Sequence, residues 1–185
     1  GPRVDSDYLA RALRDARALD PDLIVITGDM TQDASTTYHR DIAEVFAYLP
    51  EARLGRFAIL GNHDYGPGWR SYAMATEVAA ILEDTGVRVL RNEKATVEGL
   101  ELIGLDDYWG QNFDGDAFAS LYDREQPTLA LCHNPDVCDL DVWGDFDGWI
   151  LSGHTHGGQC KPPFLPPPML PVENKRYTSG FFSLS

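Results

Sequence analysis

The chain has 185 residues, of which 43% are apolar, so it is long enough to bury a sizeable core and an intrinsically disordered chain is disfavoured. Its 15 basic and 29 acidic residues give a net charge of −14, which disfavours stable binding of nucleic acids. Small phosphorylated substrates stay possible, because bound cations reverse the sign of the charge locally.

The first half of the chain alternates predicted helices with predicted buried strands. Asp5 or Ser6 would cap the first helix, and Ser35 would cap the second. A third helix carries its apolar stripe from Met74 to Leu82 and closes at Gly86. The pattern of apolar residues predicts the first two helices over residues 6–19 and 36–48, and strands over 23–26 and 57–60.

The second half of the chain consists mainly of predicted strands. Glu98 and Gly99 are predicted to form a tight hairpin turn between two of them. Without an internal repeat or a linker, residues 1–185 are expected to form a single domain. The predicted strands cover residues 87–90, 95–97, 100–105, 128–132 and 149–151.

A proline-rich segment covers residues 161–171. It is either a rigid surface loop or an apolar lip beside a functional site. The lip would be formed by Phe164, Leu165, Met169 and Leu170, and would meet a hydrophobic part of a substrate. Three cysteines, Cys132, Cys138 and Cys160, do not make a disulfide framework, and buried thiols in a reducing compartment are the favoured interpretation.

Metal-ligating side chains follow several of the predicted strands. Open α/β sheets place their chemistry at the carboxyl ends of strands, so these side chains are expected to meet. Taken singly, each motif has a simpler explanation as a turn, a helix cap or a solvated histidine. Asp106 and Asp107 follow another strand and could enter the site, whereas His39 is expected to face solvent. The ordered set consists of Gly28-Asp29, Gly61-Asn62-His63-Asp64, His133 and Gly153-His154-Thr155-His156.

This ordered set resembles the motifs of the calcineurin-like metallophosphoesterases over nearly the whole chain. Residues 152–159 and the proline-rich segment after them are similar to the subgroup of YkuE- and YaeI-type bacterial phosphodiesterases. The resemblance implies an α/β fold, a four-layer αββα sandwich of two mixed β-sheets.

The resemblance also implies a role for each site residue. Asp29 would bridge two divalent metal ions of Mn, Fe or Zn. Asn62, His133 and His154 would complete one metal site, and His156 would join the other. His63 would be the catalytic histidine, oriented by Asp64.

One motif of the family, an Asp-x-His after its first strand, does not occur in this chain. The expectation is therefore that the first strand is missing, that the domain is partial at both ends, and that one metal binds well and the other poorly.

The expected function is a phosphodiesterase or pyrophosphatase that acts on a small or lipid-linked phosphodiester by attack of a metal-bridging hydroxide. The alternatives are a non-catalytic binding module on the same fold, a phosphomonoesterase, a protein phosphatase or, against the charge, a nuclease. Membrane proximity is possible, no nucleic-acid partner is expected, and the location would be cytoplasmic or membrane-associated. The sequence leaves the oligomeric state open.

Overall fold

The computed structural model describes residues 5–31, 37–159, 161–165, 167 and 170–184, with the backbone alone for residues 37–40. The helices of this part of the chain are α1 Ser6–Ala16, α2 Thr37–Phe46, α3 Tyr72–Asp84 and α4 Gly115–Leu121. Its strands are β1 Ile24–Ile26, β2 Arg56–Ala58, β3 Arg88–Val89, β4 Glu93–Val97, β5 Leu100–Gly104, β6 Thr128–Leu131 and β7 Trp149–Leu151.

Side chains cap the starts of α1 and α3, the first of them as the sequence predicts. The Asp7 N–H donates to Asp5 Oδ1 at 3.0 Å, so Asp5 is the cap of α1. The Met74 N–H donates to Ser71 Oγ at 3.3 Å at the start of α3. Gly86 follows α3 with a φ of +81°, a conformation that glycine adopts at little cost, and it closes the helix as predicted.

The strands form two sheets. In sheet 1, β1, β2 and β3 are parallel, with Ile24 opposite Arg56. In sheet 2 the order is β4-β5-β6-β7, where β4 and β5 are an antiparallel hairpin and the remaining pairs are parallel. The two turn residues, Glu98 and Gly99, both have positive φ, as tight hairpin turns require. The predicted α/β class is confirmed.

Three apolar clusters separate four layers. Leu82 of α3 packs with Ala58 on the outer face of sheet 1. Phe57 of sheet 1 packs with Leu102 of sheet 2 in the middle of the molecule. Phe118 of α4 covers the other face of sheet 2. Because neighbouring residues of a strand point to opposite faces, Phe57 and Ala58 serve different clusters, and the predicted αββα order of layers follows.

Some local predictions differ from the structure. The first helix, predicted over residues 6–19, tightens to a 3₁₀ turn after Ala16, and Leu19 in that turn is exposed. Helix α4, capped by Asp114, lacks a long apolar stripe and was not expected. The proposed cap Ser35 lies outside the described residues. None of the described helices is both long and apolar enough to cross a membrane.

The proline-rich segment also differs in part from the predicted lip. Phe164 and Leu165 are exposed, but Leu170 is buried in the protein and so does not belong to an exposed lip. The Lys175 ammonium donates to the carbonyls of Leu170 and Val172, which holds this end of the segment down. Met169 lies outside the described residues.

Candidate metal centre

The carboxyl ends of four strands lie at one side of the sandwich. Parallel strands end at the same edge of a sheet, so side chains that follow them come together. Asp29 follows β1, Asn62 follows β2, His133 follows β6, and His154 follows β7. Both sheets therefore contribute to one candidate site.

Three of the predicted ligands meet at this edge. Asp29 Oδ2 lies 3.1 Å from His133 Nε2. His133 Nε2 lies 3.1 Å from His154 Nδ1. The ligand atoms of all three residues lie within 4.8 Å of one another, close enough to hold a single ion.

Asn62 adds an unpaired oxygen close to this group. Its side chain is 1% exposed, and its Oδ1 has no hydrogen-bond partner among the described residues. A buried amide oxygen without a partner is costly unless something else satisfies it. A divalent cation would satisfy it, and a set of one carboxylate, two imidazoles and one amide oxygen suits Mn, Fe or Zn.

Two glycines allow the strand ends to approach so closely. A Cβ atom on Gly28 would lie 2.5 Å from the Gly61 nitrogen. A Cβ atom on Gly61 would lie 2.3 Å from Asp29 Oδ1 and 2.6 Å from His133 Cε1. Any side chain at these positions would force the ligands apart.

Neighbouring groups set the orientation of the ligands. His133 Nδ1 lies 2.6 Å from the Thr27 carbonyl, so it carries the proton and leaves the Nε2 lone pair for a metal. Asp29 Oδ1 accepts a hydrogen bond from the His63 N–H at 3.0 Å. Asp29 has a φ of +62°, an uncommon backbone conformation for a residue other than glycine, and strain of this kind clusters at functional sites.

The electrostatic environment differs among the three ligands. Burial raises the pKa of Asp29, but the hydrogen bond and charge of His133 outweigh it and hold that pKa below its usual value of 3.8. Burial and the charge of His133 lower the pKa of His154 to about 4. Burial lowers the pKa of His133, but Asp29 outweighs this and the pKa is raised. Asp29 is thus ionised and His154 neutral at pH 7, which are the forms that bind metals.

The position of Asp64 corrects the role predicted for it. Its carboxylate is fully buried and accepts the backbone N–H groups of Asp29, Thr31 and Gly61, each at 2.9 Å. In the described part of the chain, its hydrogen bonds thus run to the backbone and not to the His63 ring. Asp64 therefore fixes the loops that carry the site, because a carboxylate has enough acceptor capacity for three backbone donors.

His63 is held by its backbone and by an aromatic neighbour. Its carbonyl accepts a hydrogen bond from Thr31 Oγ1 at 2.8 Å. Its ring lies edge-on to Trp69, with 6.5 Å between the ring centroids and an interplanar angle of 74°. The side chain is half-buried at the side of the metal ligands, so a bound substrate could reach it.

His156 lies apart from the group of three. It is exposed, and its Nδ1 lies 3.5 Å from Gln159 Nε2. The structure therefore unites Asp29, His133 and His154, places Asn62 and His63 next to them through the Gly61 loop, and leaves His156 on the outside. The side chain of His39 lies outside the described residues.

Sequence reasoning missed two tryptophans at this site. Trp109 lies edge-on to His154 with 4.5 Å between ring centroids, and it stacks on Trp69 at 4.7 Å. Each follows a strand-end segment in a turn that contains glycine, which is the signal that could have singled them out. Two aspartates were expected near the site. Asp107 accepts the backbone N–H of Trp109 and so stabilises the turn that carries this tryptophan. Asp106 accepts hydrogen bonds from the side chains of Tyr65 and Arg91.

Comparison with known proteins bears on the family of the chain. The model of the calcineurin-like phosphoesterase family matches residues 4–158. The phosphodiesterase YaeI of Escherichia coli is 32% identical over 166 residues, which are 86% of this chain and 58% of that protein. The uncharacterized metallophosphoesterase YkuE of Bacillus subtilis is 32% identical over 167 residues, which are 88% of this chain and 56% of that protein.

A third relative is named for a defined substrate. The UDP-2,3-diacylglucosamine pyrophosphatase LpxG of Chlamydia trachomatis is 26% identical over an alignment of 227 positions, gaps included, and the alignment covers 95% of this chain and 68% of that protein. The chain spans a little over half the length of YaeI and YkuE.

Proposed function

The chain belongs to the calcineurin-like phosphoesterase family, and from this premise we propose that it is a metal-dependent hydrolase of phosphodiester or diphosphate bonds. The observation that carries the proposal is the meeting of Asp29, His133 and His154, whose ligand atoms lie within 4.8 Å of one another. The unpaired Oδ1 of Asn62 supports the same conclusion.

We assign the metal ligands as follows. Asn62, His133 and His154 would hold one divalent ion, Asp29 would be shared between that ion and a second, and His156 would join the second. Bound divalent ions of this kind activate water as a nucleophile and neutralise charge on the phosphoryl oxygens. The hydrogen bond from His133 Nδ1 to the Thr27 carbonyl leaves His133 Nε2 to face a metal, and the low pKa of His154 keeps that imidazole neutral.

We assign proton transfer to His63. Its backbone N–H donates to Asp29 Oδ1, which keeps the residue next to the proposed metal ligands. Protonation of the leaving oxygen by a positioned imidazole is typical of general acid catalysis. Asp64 supports this role from a distance, by fixing both loops through their backbone N–H groups.

We propose a small or lipid-linked phosphodiester as the substrate. Phe164 and Leu165 are exposed in the proline-rich segment that follows His154 and His156 in the chain. Such a loop suits the apolar part of a lipid-linked substrate, and it supports the proposal that the protein works at or close to a membrane surface, cytoplasmic or membrane-associated. The net charge of −14 disfavours a nucleic-acid substrate.

We also propose that residues 1–185 form a single domain. Phe57 of sheet 1 and Leu102 of sheet 2 belong to one buried cluster, so neither sheet has a core of its own on that face. A single cooperative transition in urea, seen by both tryptophan fluorescence and circular dichroism, is the expected result. Two separate transitions would contradict it.

The reaction type is tested with two chromogenic esters that share a leaving group. Methyl p-nitrophenyl phosphate is a diester and p-nitrophenyl phosphate is a monoester. With Mn²⁺ the diester is expected to be hydrolysed at least about ten-fold faster, a ratio set by differential transition-state binding, and EDTA should abolish the reaction. Faster hydrolysis of the monoester would replace the proposal with a phosphomonoesterase. Metal binding without hydrolysis of either ester would replace it with a binding module.

A further inference from the structure

Trp69 and Trp109 form a stacked aromatic pair at the side of the candidate metal centre. Their ring centroids are 4.7 Å apart and their planes are inclined by 25°. Trp69 lies on the turn after the segment that carries His63, and Trp109 lies on the turn after β5. Offset stacking at this distance is a favourable arrangement of two aromatic rings.

The tryptophan pair lies between the metal ligand His154 and the proposed catalytic residue His63. Trp109 lies edge-on to the metal ligand His154, with 4.5 Å between centroids and an angle of 87°. Trp69 lies edge-on to His63, at 6.5 Å and 74°. A group bound beside His63 therefore meets an indole surface.

The turn under Trp109 is tightly built. Asp107 is 1% exposed, and its Oδ2 accepts the backbone N–H groups of Trp109 and Gly110, both at 2.9 Å. The Gly110 N–H also donates to the Asp107 carbonyl. The ring of Trp109 thus has a fixed backbone beneath it, as a binding wall requires.

Trp69 is held in a backbone conformation that a bulky residue rarely adopts. Its φ is +58°, in the left-handed region. Its N–H donates to the Gly66 carbonyl at 2.9 Å, which keeps the turn in place. The side chain is still 37% exposed, so the strain does not serve to bury it in the core. Strain of this kind marks functional sites, because the rest of the fold must compensate for it.

We propose that Trp69, backed by Trp109, is a stacking surface for a flat ring of the substrate, and that one half of the substrate is a nucleotide. The inference rests on the proposed function and adds a specificity residue to it. A nucleobase is flat and uncharged, so it fits an indole face and is not repelled by the acidic surface of the chain. An alkyl chain would instead be met by the exposed Phe164 and Leu165 of the proline-rich segment.

Trp69 and Trp109 have different roles in this proposal. Trp69 contacts the base, because part of its ring surface is free. Trp109 is a positioning residue that supports Trp69 from behind and limits the movement of the His154 ring. Substitution of Trp69 should therefore alter selectivity for the base alone, whereas substitution of Trp109 should alter selectivity and metal affinity together.

The test compares two ligands that differ only by a base. Adenosine 5′-monophosphate and ribose 5-phosphate are titrated into the Mn²⁺-loaded chain by calorimetry. We expect adenosine 5′-monophosphate to bind about ten-fold more tightly than ribose 5-phosphate, because stacking of a base on an aromatic side chain contributes about 1–3 kcal/mol. Trp69→Ala should remove this preference while ribose 5-phosphate affinity changes less than two-fold, and Trp69→Phe should keep most of it. Trp149→Ala is the matched control, because Trp149 is 64% exposed and lies at the opposite end of β7 from His154.

Equal binding of the two ligands by the unaltered chain would overturn the stacking surface, and so would an unchanged preference in folded Trp69→Ala. Tighter binding of octyl phosphate than of adenosine 5′-monophosphate, lost in Trp69→Ala, would assign the surface to an alkyl chain and overturn the nucleotide. Hydrolysis of methyl p-nitrophenyl phosphate by the unaltered chain reports the proposed function separately. A failure of the proposed function would therefore appear as absent hydrolysis, whereas a failure of the stacking surface would appear as equal binding of the two ligands.

Discussion

The buried carboxylate of Asp64 accepts a hydrogen bond from the backbone N–H of Asp29 at 2.9 Å, across 35 residues of sequence. The loop after β2 thereby fixes the backbone of the residue that the proposed site places between two metals. The same carboxylate also accepts the N–H of Thr31, so the loop after β1 is held at two points. One acidic side chain thus links the first two strand ends into a rigid unit.

Replacement of Asp64 by alanine is expected to lower both stability and metal affinity. The change leaves three N–H groups without an acceptor, two of them buried and one partly buried. Each buried group of this kind costs about 1–3 kcal/mol. The expected loss is therefore at least about 3 kcal/mol in the free energy of unfolding, measured in urea with EDTA. Asp141→Ala, at an exposed position, is the control and should change stability by less than about 0.5 kcal/mol. A loss of stability below about 1 kcal/mol in Asp64→Ala would contradict the proposal that this carboxylate holds the loops after β1 and β2 together.

Replacement of His63 by alanine separates catalysis from metal binding. The ring lies beside the ligands and is not assigned to a metal, so Mn²⁺ content should stay near that of the unaltered chain. Turnover of methyl p-nitrophenyl phosphate should fall about 10²- to 10⁴-fold, the usual contribution of a general acid. Metal content is measured by atomic absorption on the same samples that are assayed. Undiminished turnover would remove His63 from the mechanism.

Replacement of individual ligands should affect metal binding unequally. Asp29→Ala removes the proposed bridge and should weaken every Mn²⁺ ion that the chain binds. His156→Ala should weaken only the more weakly bound ion, because His156 lies outside the group of Asp29, His133 and His154. Calorimetric titration of the metal-free chain measures both effects. Equal losses in the two variants would contradict the division into a shared and a separate ligand.

Most of the framework follows from local signals in the sequence. The apolar run that became β7 matches the structure at both ends, and the residues that follow β1, β6 and β7 meet because parallel strands share an edge. These predictions succeed because a buried strand and a polar residue at its end are both visible within a few residues. The apolar stripe of α3 is equally local, and the helix spans Tyr72–Asp84.

The remaining features depend on contacts between distant segments. The family resemblance implies that Asp64 orients the ring of His63, but the Asp64 carboxylate accepts three backbone N–H groups, two of them from the loop after β1. The stacking of Trp69 on Trp109 joins turns that are 40 positions apart and has no periodic signature. Such pairs become visible only when the strand ends have been placed in three dimensions.

Replacement of Gly61 by alanine should push the ligands apart. The added Cβ would lie 2.3 Å from Asp29 Oδ1 and 2.6 Å from His133 Cε1, which is too close for either atom to stay in place. We expect at least a ten-fold loss of Mn²⁺ affinity and a loss of stability of about 1–3 kcal/mol, typical of overpacking. Gly99→Ala is the control for metal affinity, because Gly99 has open space around it and lies in the turn between β4 and β5. Its φ of +88° makes Gly99→Ala a test of backbone strain without crowding, whereas Gly61, with a φ of −104°, gains crowding without such strain. A normal metal affinity in Gly61→Ala would contradict the close packing of the strand ends.

Replacement of Asp107 by asparagine should change how stability depends on pH. Burial raises the pKa of Asp107 from its usual 3.8 to about 6, since the charges of its neighbours and its two backbone donors do not fully offset the loss of solvent. The folded state therefore binds more protons than the unfolded state between about pH 4 and pH 6, and the contribution of this group to stability falls as the pH rises through that window. A shift of about two pKa units corresponds to about 3 kcal/mol. Between pH 4 and pH 7 the unaltered chain should therefore lose up to about 3 kcal/mol of stability through this group. Asp107→Asn should not show this loss, so the difference in the free energy of unfolding shifts in favour of the variant. Urea unfolding with EDTA at both pH values measures this difference, and a constant difference would show that Asp107 does not titrate in this range.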